Sequence, residues 1–378
     1  MSFPPQGPYG SQPSDGGPPW GGPPPHYGQQ PGGGPWSQRG WTGTPPPPNN
    51  GGKGKWILIG LALVAIIAVS IVGTVLVLRP DSGGGNGSSN TADGASAFAS
   101  ANDTGPANII TEDPTCEAWT KISRDVSAAV PEWNKQDYSV PATEWTPEQQ
   151  RVFEKKSAAL KSAIEKAGNL AKQTPHRVMR ELYGQYNAYA QAVIDSIPNY
   201  SSDDNKTVAA SNQFASSLNR VCDAIYFRAA QQTAPLISEA APPSDPQVPN
   251  GDRNLVPERF LTSRHGRCED WMTAVQRFEK DAKDWRDIDA KIPATEWTPD
   301  QMSVMDAVMP VMTAFANDIE QLGRQSGNPV WEDFAVLAAQ SMRAYVQAIP
   351  TYTVNTGYMS SLSARLYSAI NWACKAES

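Results

Sequence analysis

Two sets of four stretches after residue 115 place apolar residues at intervals of three and four. The first stretch carries Trp119, Ile122, Val126, Ala129 and Trp133, and its later counterpart Trp271, Val275, Phe278, Ala282 and Trp285. Such intervals line one stripe of an α-helix. A second pair carries Val152, Phe153, Leu160, Ile164, Ala167 and Leu170, then Val304, Met305, Met312, Phe315, Ile319 and Leu322. Third helices are expected near residues 177–197 and 330–349, each stopped by an Ile-Pro pair, since proline pushes the residue before it out of the α region. Fourth helices carry Val208, Phe214, Leu218, Val221 and Ile225, then Met359, Leu362, Leu366, Tyr367 and Ile370. No stretch shows the period-two pattern of a strand. The pattern predicts an all-α ectodomain.

One apolar run differs in kind. Residues 56–78, WILIGLALVAIIAVSIVGTVLVL, hold no charge and as a helix would span about 34 Å, enough to cross a bilayer with modest tilt. The run is longer and lies deeper in the chain than the apolar part of a cleaved signal peptide. It is expected to be an uncleaved anchor, with the lipid bilayer as partner.

The two sets of helices are one unit written twice. Adding 152 to a position carries Cys116 to Cys268, Trp119 to Trp271, Trp133 to Trp285, Asp137 to Asp289 and Cys222 to Cys374. PATEWTPEQ at Pro141 becomes PATEWTPDQ at Pro293, and IPNY at Ile197 becomes IPTY at Ile349. Four helices on short links suggest an up-down-up-down bundle, in which helix 1 begins and helix 4 ends at the same end. Four cysteines permit three pairings. The duplication favours closure within each copy, Cys116–Cys222 and Cys268–Cys374. In the chain-entropy model each bridge stabilises its bundle by up to ~4.7 kcal/mol.

The expected organisation is therefore a Pro/Gly-rich, disordered cytoplasmic tail (1–54), a transmembrane helix (55–79), a flexible linker (80–111), helical bundle repeat 1 (112–233), a Pro-rich linker (234–259) and helical bundle repeat 2 (260–378). In short, two tandem disulfide-clasped four-helix bundles follow one transmembrane helix. The tail, with stretches such as GGPPPHYGQQPGGGPW, lacks the apolar surface to offset chain entropy. Lys53 and Lys55 before the span, against Arg79 after it, place the N-terminus in the cytoplasm. The four cysteines then lie outside, where disulfides persist.

Charge narrows the partners. Arg39, Lys53, Lys55 and Arg79 against Asp15 give residues 1–80 a net +3, so a whole-chain charge of −7 leaves −10 on residues 81–378. Nucleic acid rewards a basic surface, and this ectodomain is acidic. His26, His176 and His265 are scattered, and no Cys-x-x-Cys, His-Glu-x-x-His or EF-hand spacing is present. No nucleophile elbow or phosphate loop is present either. We therefore expect no cofactor, no metal and no catalytic residue.

Two features remain as candidate recognition elements. Glu144, Trp145, Glu296 and Trp297 sit in the duplicated phrase, a candidate paired loop. The rest of that phrase reads as a capping box, with Thr146 and Thr298 at the N-cap, proline at the first helical position and Gln149 or Gln301 reaching back. Tyr183, Tyr186 and Tyr189 form a stripe that copy two replaces with Ala335, Ala338 and Ser341, either a candidate groove that only copy one kept or core packing with phenol groups at the surface.

A tail beginning MSFPPQGPYGSQP, then one span, then a cysteine-paired helical ectodomain resembles the actinobacterial, mycobacterial-type Pro/Gly-rich single-pass membrane proteins. The resemblance implies an extracytoplasmic domain beneath the outer envelope and carries no functional residue with it. The expected function is a non-enzymatic, membrane-anchored binding or scaffolding protein of the cell envelope, engaging an envelope protein or ligand. The alternative is a transmembrane sensor that couples ectodomain binding to weak cytoplasmic contacts of the proline-rich tail. An envelope enzyme using acidic residues such as Glu144 and Glu296 ranks third.

Overall fold

Capping chemistry and proline placement set the helix limits. α1 runs Cys116–Ala129 and α2 Pro147–Gln173; α3 runs Arg177–Ser196 and α4 Asn205–Tyr226. Their counterparts are α5, Cys268–Asp281; α6, Pro299–Arg324; α7, Pro329–Ala348; and α8, Gly357–Ala376. This computed structural model describes residues 98–246 and 258–378. The expected cytoplasmic tail, the apolar run at 56–78 and most of the first linker lie outside the described residues. Among the described residues no strand is present and no helix is long and apolar enough to cross a membrane.

α1 is shorter than its apolar stripe. It stops at Ala129, and Trp133 instead begins a 3-10 turn, Trp133–Lys135. Pro131 has no N–H to continue the ladder and disfavours a helical residue before it. Copy two carries Lys283 there, and a helical turn, Lys283–Arg286, follows α5 almost directly.

Within copy one, α1 packs on α2, α2 on α3, α3 on α4 and α4 back on α1; α5 to α8 repeat that ring. Cys116–Cys222 and Cys268–Cys374 are both bonded, each across 106 positions. At the α6–α7 crossing a Cβ on Gly323 would lie 2.3 Å from the Cβ of Ala335, so the close approach requires glycine.

The copies are not beads on a string. α4 of copy one lies along α8 of copy two, and one continuous hydrophobic core runs through both. Phe214 of α4 meets Phe334 of α7 at 5.7 Å between ring centroids, and Phe227 stacks on Tyr358 at 4.7 Å. The joint has the layout of a two-fold contact, in which equivalent positions meet at the axis. Arg365 donates to Gln213, its own equivalent 152 positions away, at 3.4 Å. Glu181 of α3 faces Asp333 of α7, again 152 positions on. Sandwiched between bundles, α7 and α8 are buried on nearly every side.

Both linkers differ from expectation where they are described. Residues 98–111, expected to be flexible, pack on the bundle: Ala107, Ile109 and Ile110 are buried, and the Ala99 N–H donates to the Lys172 carbonyl at 2.9 Å. Residues 237–246, expected as a free spacer, are strapped to copy two. Arg324 donates to the carbonyls of Ala241 and Pro242, and Gln340 to that of Ser238. These segments supply little apolar periodicity but many backbone acceptors, which long polar side chains on the bundle satisfy.

Candidate functional site

The duplicated phrase is built as a joint. Thr146 accepts from the Gln149 N–H while Gln149 accepts from the Thr146 N–H, and Thr298 with Gln301 repeats the box. Upstream, the Trp145 indole donates to the Val140 carbonyl and the Trp297 indole to that of Ile292, both at 2.9 Å. The phrase is also fastened to the Ile-Pro motif. The Ala142 N–H donates to the Tyr200 carbonyl, and the Ala294 N–H to that of Tyr352. Each of those tyrosines returns a hydroxyl bond to the α1–α2 or α5–α6 connection, at Tyr138 or Ala290. Two motifs that travel together in sequence are two halves of one contact. Glu144 and Glu296 are exposed, and both tryptophans are half-buried, Trp145 stacked on Phe153 at 4.0 Å.

The tyrosine stripe is not a groove. Tyr183 and Tyr189 are fully buried and Tyr186 is 3% exposed. Tyr183 and Tyr186 meet the Trp119 ring edge-on at 5.6 and 5.0 Å, and Tyr189 stacks on Phe214 at 5.1 Å. The Tyr183 hydroxyl lies 2.8 Å from that of Thr115. Burial pushes all three phenols far above the usual range. A three-residue interval turns helical positions by about 300°, so the stripe remains on one face, and α3 turns that face inward.

A cluster of charge that the periodicity conceals lies between the copies. Arg177 is fully buried and grips Asp333 with two parallel bonds, Nε to Oδ2 at 2.6 Å and Nη2 to Oδ1 at 2.9 Å. Its Nη1 donates to the Asp103 carbonyl, and its backbone N–H to the Asp103 carboxylate. Arg180 donates to Ser100 and lies 3.8 Å from Glu181. Burial, then the facing Asp333, push the Glu181 carboxyl well above its usual range. No N–H or O–H among the described residues reaches either Glu181 oxygen, and two carboxylates side by side repel. A proton on Glu181 turns it into a donor to Asp333. The cluster ties residues 100–103, α3 and α7 together. Its signal in the sequence is a charge in each copy's third helix at one register, Glu181 and Asp333; nothing local says that they meet.

Among the described residues no group of three or more His, Cys, Asp or Glu is placed to hold a metal ion. What the geometry offers is a rigid, double-clasped helical body with an ionic lock at its centre.

Residues 98–378 match the family of mycobacterial ESX-1 associated proteins. The chain belongs to that family. The match begins where the described structure begins, so the segment at 98–111 is part of the family's domain. A protein of Mycolicibacterium smegmatis (strain MKD8), described as uncharacterized, is 38% identical over 346 residues, covering 90% of each chain. That likeness therefore reaches into the N-terminal region that the family match leaves out. No solved structure matches the chain.

Proposed function

We propose that this family member is a non-enzymatic, membrane-anchored binding or scaffolding protein of the cell envelope, acting at the ESX-1 secretion system. One observation carries the reading: both disulfides close within the region that follows the apolar run at 56–78. Disulfides persist in oxidising compartments, and an uncleaved span with its basic side inward delivers the following domain there. The family description supplies the secretion system as the setting. The duplicated body suits scaffolding, because its exposed joints recur on both copies while its chemistry-bearing groups are locked in the core.

The test uses the full chain in mycobacterial cells. Membrane fractions washed at alkaline pH should retain it, protease added to spheroplasts should remove residues 98–378, and crosslinking should recover secretion-system components. A chain lacking residues 2–50 should recover the same components. Release by the alkaline wash, or crosslinks without any secretion component, would sink the proposal. Loss of the partners on deleting residues 2–50 would favour the sensing alternative instead.

A further inference from the structure

The copies differ at one place where a ligand would sit. In copy two, Phe278 of α5 stacks on Phe315 of α6 at 4.1 Å, and Tyr367 of α8 meets Phe315 edge-on at 5.1 Å. Their equivalents in copy one are Val126, Ala163 and Ala215. Three rings are thus absent from copy one, and a crevice of about 130 Å³ between α1, α2 and α4 is lined by two of those positions, Val126 and Ala215.

The crevice is a walled site, not a packing defect. Copy one fills its core from α3 instead, with Tyr183 and Tyr186 against Trp119, so the open volume lies outside a completed core. Trp119, Trp133 and Tyr186 form its inner wall, each under 5% exposed. Its rim carries Ser127, Asn134, Asn212, Ser216, Asn219 and Lys156. The Trp119 indole donates to the Asn219 side-chain amide oxygen at 2.8 Å and fixes that amide at the rim. Among the described residues, no protein hydrogen bond uses the side chains of Asn212 or Ser216 or the Tyr186 hydroxyl. Copy two writes Ala364, Ser368 and Ala338 at those three positions, and Val308 in place of Lys156. Ring loss and the gain of the Asn212 amide, the Tyr186 hydroxyl and the Lys156 ammonium thus occur in one copy, while Ser216 keeps a serine counterpart.

We propose that this crevice binds one neutral, hydroxylated six-membered ring, a single pyranose sugar unit. Its volume approaches that of a ~150 Å³ cavity known to hold a benzene ring, so it accepts one ring and not a polymer segment. Amide and hydroxyl side chains each donate and accept, as vicinal sugar hydroxyls do. No acidic residue lines the crevice, and its one cation, Lys156, lies over the Trp133 ring at 4.8 Å. A cation finds no counter-charge there, and an apolar ring would cover the Asn212 amide without pairing it. The aromatic wall supplies the apolar surface that a sugar's C–H face covers.

The inference does not depend on the membrane anchor and stands or falls separately from the proposed function. The test uses the full chain in detergent with glucose, galactose and N-acetylglucosamine as probes, and phenol and inorganic phosphate as controls. Saturation-transfer NMR should show one of the sugars bound with a Kd of about 1 mM, with a shift of the Trp119 indole N–H signal. Ala215→Tyr, which restores the ring of copy two, should abolish transfer. Asn212→Ala, at a half-buried rim position, should weaken binding about tenfold with an unchanged circular dichroism spectrum and melting midpoint. Absence of transfer to every sugar, or equal transfer in wild type and Asn212→Ala, would overturn the proposal. Binding of phenol or phosphate in place of the sugars would overturn the ligand class.

Discussion

Glu181 is a carboxyl held in a buried cluster of charge. Arg177, Arg180 and Asp333 all act on it, and burial with the facing Asp333 outweighs the two arginines. With the folded value raised above the unfolded one, the folded state keeps the proton over a range where the unfolded chain has lost it. Stability from this group is therefore complete below the ordinary carboxyl range near 4.3 and falls as pH rises through the folded value. Glu181→Gln keeps a donor for Asp333 without the charge. We expect it to flatten the decline and to gain about 1–3 kcal/mol at the alkaline end. Urea unfolding midpoints measured across pH would check this, and parallel profiles for the two proteins would refute it. The facing Asp333 was not legible as a partner of Glu181, because it lies 152 positions away and no local pattern joins the two.

At the scale of the element, boundaries follow local chemistry closely. The Thr-Pro-x-Gln boxes start α2 and α6 at the positions their side chains dictate, and Pro131 ends α1 early. Thr146→Ala and Thr298→Ala should each cost about 1 kcal/mol, the usual worth of an N-cap. Because the two caps serve different helices in different copies, the double variant should lose about the sum. Denaturant unfolding of the three variants decides it; a loss confined to one copy would show that the boxes are not equivalent. The tyrosine stripe of α3 was legible as a stripe, with groove and core both open to it. Periodicity fixes which residues share a face, and the neighbours decide whether that face meets water.

For the whole molecule, the α4–α8 joint matters more than the covalent link between copies. Each disulfide closes within one copy, so neither holds the two copies together. A protease site placed within residues 247–257 should cut the chain yet leave both fragments co-eluting on gel filtration, under reducing and non-reducing conditions alike. Unfolding of the cut protein should remain a single transition, because the core is continuous through both copies. Separation of the fragments in native buffer would show that the chain link, not the interface, maintains the pair.

By itself the sequence determined the all-helical class, the duplication at a spacing of 152, the capping joints and the pairing that symmetry favoured for the cysteines. These are local or internally repeated signals, carried by residues a few positions apart or copied in one register. Tertiary structure decided the rest. It fused the bundles along α4 and α8, drew residues 98–111 and 237–246 onto them, sank Tyr183, Tyr186 and Tyr189 into the core, and set Glu181 against Asp333. It also opened the crevice in copy one beside Val126 and Ala215, whose equivalents in copy two are the rings of Phe278 and Tyr367. Each of these depends on which surfaces meet between segments remote in the chain, and burial, not sequence spacing, sets that choice.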